Sequence, residues 1–203
     1  MPVQTSNTEQ LIVESARRCF AAKGYSGVSL QDIAKDAGTT KSMINYYFRS
    51  KEKLFFVIFL SEFQLLFSSI AAFLVEDLPL FEKITKIVSL DVDRLLQMPE
   101  LPVFIISEMN RNPDILINNL NHIPIDQLFI QLDKQIKREV KKGLIRYIRP
   151  RELMINIQSL TIFPFLAKPM LTGRLGYTEK TFKALMIKRK SDIVDIIWNS
   201  LTI

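Results

Sequence analysis

Apolar positions recur at helical spacing three times between residues 8 and 48, with a corner between each run. Over Glu9 to Lys23, Ile12, Ala16, Cys19 and Phe20 share one face, and Thr8 can cap the helix. Gly24 ends it, and Tyr25 and Val28 can pack back onto the next helix. Ser29 opens that second helix, its hydroxyl placed to accept from the backbone N–H of Gln31 or Asp32. The second helix turns Ile33 and Ala37 inward and stops at Gly38, where glycine can take the left-handed conformation of a helix end. Thr40 caps a third helix running to Tyr47 and Phe48, with Ile44 and Tyr47 as its buried stripe. Ala34 is small where the two helices must cross, Gly38 makes the corner, and Ile44 anchors the third helix. Those are the steric requirements of a helix-turn-helix.

The pattern then lengthens. Lys51 to about Val75 carries Leu54, Phe55, Ile58, Phe59, Leu65, Leu66 and Ile70 with neither proline nor glycine, which predicts one long helix rooted in the head. Pro79 restarts a helix through about Met98, and Pro99 and Pro102 break it. A segment extends from there to Asn110, then a short one from Pro113 to near His122, then a long amphipathic helix from Pro124 to about Lys142, ended by Gly143. Two apolar helices close the chain, roughly Pro150 to Lys168 and Thr178 to Thr202, across a linker holding Pro169, Gly173 and Gly176. Almost nothing alternates as a strand does. The expected fold is all-α: a three-helix head over residues 1–50 and a helical domain over 51–203.

The outward residues around the third helix are Thr39, Thr40, Lys41, Ser42, Asn45 and Tyr46. All donate or accept hydrogen bonds and none is acidic, which suits a DNA major groove flanked by phosphates. Lys41 and Asn45 are the candidates for reading bases, since lysine suits guanine and asparagine suits adenine. A net charge of +6 agrees with a nucleic-acid partner. Many of the cations sit late, from Lys134 and Lys137 through Arg149 and Arg151. Two readings stand for them, a solvated helix face or a second phosphate-contacting surface.

Catalysis finds little support. One histidine and one cysteine leave no triad set, no zinc pattern and no disulfide framework. The stretch Gly173 to Gly176 is too short and misplaced to cradle phosphate. No catalytic residue, metal or cofactor is expected. The apolar run Leu54 to Leu60 is bracketed by Lys53 and Glu62, no signal-type segment is present, and a cytoplasmic protein with no membrane partner is expected.

The stretch FAAKGYSGVSLQDIAKDAG, followed by YYFRSKEKLFFVI, resembles the N-terminal domain of the TetR/AcrR family of transcriptional regulators. Phe20, Gly24, Tyr25, Ser29, Ile33, Ala34, Ala37, Gly38, Tyr47, Phe48, Lys51, Glu52 and Leu54 carry the likeness over about the first quarter of the chain. Three positions depart from the family pattern. Thr39 stands for an aliphatic residue, Ser42 for a common glycine, and Asn45 for an aromatic that touches DNA. The resemblance implies phosphate contacts from Tyr46, from Lys51 and from Ser29, with Tyr47 and Phe48 in the core.

It further implies a homodimer through the last two helices, in which two heads read a palindromic double-stranded operator. A pocket for a small-molecule effector is implied between head and dimer helices, its candidate lining Phe63, Phe67, Phe104, Met109, Leu128, Phe129, Met154 and Phe163. Walls of that kind favour a lipophilic or aromatic ligand. His122, Asn110 and Gln158 are the polar residues available to orient it. The function expected is a repressor released by that effector; a helical adaptor that kept the fold without DNA binding is the alternative.

Overall fold

The computed structural model of the protein describes residues 7–111, 114, 118 and 123–202, apart from the side chains of Phe104, Glu108, Met109 and Arg111. The helices are α1 (Asn7–Lys23), α2 (Leu30–Asp36), α3 (Lys41–Phe48), α4 (Lys51–Val75), α5 (Leu80–Gln97), α6 (Leu101–Arg111), α7 (Ile125–Lys141), α8 (Pro150–Leu166), α9 (Lys168–Gly173) and α10 (Glu179–Leu201). The chain is all-α; its one extended pairing among the described residues is an isolated bridge between Ile145 and Thr202.

Most predicted boundaries hold to within a residue or two, and the exceptions have local causes. Helix α1 already begins at Asn7, so Thr8 lies inside its first turn instead of capping it. The expected linker after α8 contains α9, with Pro169 in its first turn. Proline is tolerated there because the first N–H groups of a helix have no partner to lose. Pro102 sits likewise in the first turn of α6. The short helix expected from Pro113 to near His122 lies outside the described residues, Asp114 and Asn118 apart.

Two apolar cores organise these helices. The smaller one joins Ile12, Ala16 and Phe20 of α1, Ile33 and Ala34 of α2, Ile44 and Phe48 of α3, and Leu54, Phe55 and Ile58 of α4. Each large aliphatic or aromatic side chain buried this way contributes about 1.5–3 kcal/mol. The Phe20 and Phe55 rings meet edge-on at 5.0 Å, and Tyr25 meets Phe55 at 4.9 Å. The larger core begins further along α4, at Phe59 and Phe63, and takes in α5, α7, α8 and α10. Helix α4 therefore runs through both. By length and composition it could cross a membrane. Here it is the shared spine, and it buries Glu62, which is paired with Arg17 of α1 and Arg94 of α5.

Gly24 marks a second place where head and body meet. Its φ is +68°, and a Cβ there would collide with the Glu100 carboxylate from the α5–α6 connection. Gly24→Ala should therefore lower stability by about 1–2 kcal/mol, the usual cost of a left-handed alanine, when unfolding is followed in urea. An unchanged midpoint would show that the corner relaxes freely.

Candidate nucleic-acid interface and interior cavity

The helix-turn-helix is built by reciprocal capping. Ser29 Oγ accepts from the Asp32 backbone N–H at 3.2 Å, and the Ser29 backbone N–H donates to Asp32 Oδ2 at 2.8 Å. This capping box fixes where α2 starts. Gly38, at φ +62°, turns the corner, and Thr39 N–H closes it by donating to the Ala34 carbonyl at 2.9 Å. Thr40 Oγ1 then caps α3 by accepting from Met43 N–H.

The acids of the motif are committed elsewhere. Asp32 is held below the usual carboxylate range by hydrogen bonds from the Ser29 hydroxyl and backbone. Asp36 is lowered chiefly by Arg18, whose guanidinium lies 2.7 Å away. On α3, Ile44 and Phe48 are buried, while Thr40, Lys41, Ser42, Asn45 and Tyr46 are exposed and Thr39 is half-buried. Tyr46 is 77% exposed. The six predicted residues thus lie together around one helix, with no acid among them. Tyr47, predicted to be core, is half-buried and packs against the head core, its ring near those of Tyr46 and Phe48.

Three cations differ from a simple outward reading. Lys51 Nζ donates to the carbonyls of Tyr25 and Val28, both at 2.9 Å, and lies 4.2 Å from the Tyr25 ring centroid. It fastens the α1–α2 corner to the start of α4 and presents no free side chain outward. Arg17 and Arg18, on the exterior of α1, are spent on Glu62 and Asp36. Conversely, Arg49 and Met43 are exposed beside the predicted face and were not singled out from sequence. Arg49 has φ +62° as the residue that ends α3. The helical period continued one residue past Phe48 would have found it.

In the body, a cavity of about 170 Å³ opens between α4, α7 and α8. Phe67, Leu128, Phe129 and Met154 line it, with Leu66, Ile70 and Leu74 of α4 and, among the described residues, a single polar one, Gln158. Phe63 does not reach it; the ring is buried one turn back, packed against Phe59 and Phe67. Phe163 is a correction. It is 63% exposed, because nine residues of α8 carry it about half a revolution away from Met154, which faces the cavity. The side chains of Phe104 and Met109 lie outside the described ones, as does His122, and Asn110 is exposed.

The late cations border an open groove lined by Lys134, Lys137, Arg149 and Arg151 together with Asp126 and Asp133. Arg151 pairs with Asp126 and Lys137 with Asp133, both at 2.6 Å. Partnered, solvated charge describes most of this surface.

A capped two-helix unit with an acid-free outer face, joined by one continuous helix to an α-helical body with a cavity, defines a protein of the helix-turn-helix class. Residues 12–58 match the family of bacterial regulatory proteins, tetR family. Over 52 residues the chain is 40% identical to the HTH-type transcriptional repressor AcnR of Corynebacterium efficiens, covering 26% of this chain but only 28% of that protein. Over 156 residues it is 26% identical to the HTH-type transcriptional regulator RutR of Escherichia coli K12, covering 77% and 73% of the two chains. Its fold is similar to the crystal structure of a TetR/AcrR-family regulator from Thermobifida fusca, with a TM-score of 0.66 at 18% identity over 96% of this chain and 98% of that one. Over its head the chain matches the tetR family of bacterial regulatory proteins, and as a whole its fold is that of a TetR/AcrR-family regulator.

Proposed function

We propose that the protein is a transcriptional repressor that binds a palindromic DNA operator as a homodimer and is released by a small, lipophilic effector. The observation that carries this reading is the exposed, acid-free face of α3, held rigidly by caps and rooted in α4. Lys41 and Asn45 read base edges. Thr39, Thr40, Ser42, Tyr46 and Ser29 face the phosphates that flank them. Lys51 serves from within, positioning the α4 N-terminus, whose dipole attracts a phosphate.

Dimerisation is supported by apolar side chains left outside the core of one chain. Ile155 and Phe163 on α8 and Ile187 and Ile196 on α10 are each more than half exposed. A second copy would cover them, and two-fold symmetry would set the heads for a palindrome. The effector's place is the cavity beside α4. A ligand there can shift head spacing only if it binds the two conformations with different affinity.

Selection of DNA from a random pool by the purified chain, at moderate salt, tests the proposal. A palindrome with half-sites about one helical turn apart is expected. Asn45→Ala should then lose about 1–3 kcal/mol of discrimination at one or two base positions and leave nonspecific affinity unchanged. A pool that stays random would replace the repressor with the adaptor reading and move the search to a protein partner.

A further inference from the structure

The cavity wall has a polar element whose geometry constrains what enters. Among the described residues, the Gln158 side chain makes one hydrogen bond, Nε2 donating to Asp91 Oδ2 at 2.7 Å. Asp91 lies on α5, is 2% exposed, and its second oxygen, Oδ1, has no partner among the described residues. Burial, opposed only by the Gln158 hydrogen bond, pushes this carboxyl up to about 7. A glutamine amide has one acceptor end and one donor end. With Nε2 committed to Asp91, the orientation of the amide is set, and Oε1 has no partner among the described residues. The rest of the lining named above is hydrocarbon and aromatic.

Size adds a second constraint. A dry apolar cavity of about 150 Å³ holds benzene, and this one measures about 170 Å³. An unpaired acceptor in such a wall penalises any occupant that cannot donate to it. A hydrocarbon leaves Oε1 unsatisfied, and an ether or ketone sets lone pair against lone pair.

We infer that the cavity takes a molecule about the size of one substituted ring, apolar except for a single hydroxyl or N–H that donates to Gln158 Oε1. Asp91 acts as a positioning residue, holding the amide that the ligand meets. This rests on the reading of the cavity as the effector site and names the chemical class of that effector.

Phenol and toluene, nearly equal in size, are the probes, titrated calorimetrically into the wild-type chain and into Gln158→Met. Each compound's own hydration cancels when the phenol-to-toluene affinity ratio is compared between the two proteins. The ratio should fall about fivefold in Gln158→Met, the worth of one net hydrogen bond. An unchanged ratio, with both compounds still bound, overturns the inference while the effector cavity stands. If neither compound binds the wild-type chain, the effector-cavity reading falls, and this inference with it. A comparison needing no variant uses the isomers p-cresol and anisole, the first a donor and the second an acceptor only. Tighter binding of p-cresol by the wild-type chain is expected, and equal or tighter binding of anisole overturns the inference.

Discussion

Glu62→Ala should split one unfolding transition into two. Glu62 lies midway along α4, 7% exposed, and pairs with Arg17 from the head and Arg94 from the body. Arg17 also donates to Ser61 Oγ at 3.0 Å. Removing the carboxylate leaves two guanidinium groups facing each other without a counter-charge. Orphaning a fully buried charge costs about 3–5 kcal/mol. The side chains of Arg17 and Arg94 keep 40% and 27% exposure, so water recovers part of that, and a loss of about 2–3 kcal/mol is expected. The loss falls on the contact between α1, α4 and α5, where the two cores meet. Trp198, the single tryptophan, packs edge-on to Phe81 at 5.2 Å and reports the body alone. In the wild type, Trp198 fluorescence and far-ultraviolet circular dichroism should change at the same denaturant concentration. In Glu62→Ala the dichroism should begin to fall first, as the head melts. Coincident curves in the variant would show that the ion pairs do not couple the two cores.

Asp91→Asn should remove a pH dependence of stability. The Asp91 carboxyl titrates at about 7 in the folded chain, raised by burial from its ordinary value of 3.8. Between those values the folded state holds a proton that the unfolded state has released. Stability from this group is therefore fully present below about pH 4 and declines as pH rises, by about 1.4 kcal/mol per unit, levelling off above pH 7. From pH 5 to pH 8 the wild type should lose about 3 kcal/mol relative to Asp91→Asn. All other titrating groups are shared and cancel in the difference. Asparagine can still bond Gln158, so the comparison isolates the ionisation. A gap that stays constant across that range would show that Asp91 does not bury its charge on folding.

The elements of the head were legible because their determinants are local. Ser29 and Asp32 cap within one turn, Gly38 and Thr40 act on adjacent residues, and the apolar period of α2 and α3 selects their buried sides. The same holds for α4, whose whole length reads as one helix because no proline or glycine interrupts it. The acid-free face of α3 comes from that period alone, and its six outward residues come with it.

Partners distant in sequence were beyond that reasoning. Lys51 looks like an outward cation until the α1–α2 corner folds over it and offers two carbonyls 23 and 26 residues away. Phe163 and Met154 share a helix and an apolar character, and only the packing of α8 against α4 and α7 sends one to the surface and the other to the cavity. Glu62 reads as one charge in an apolar run, and Asp91 as one acid in an amphipathic helix. Their roles come from Arg17, 45 positions before Glu62, from Arg94, 32 after it, and from Gln158, 67 after Asp91. The chain by itself determined where most of the longer helices begin, end and turn, since caps, corners and periods act within a few residues. Tertiary structure decided which charges are paired and which apolar faces enclose space, because those depend on contacts that exist only once distant helices pack.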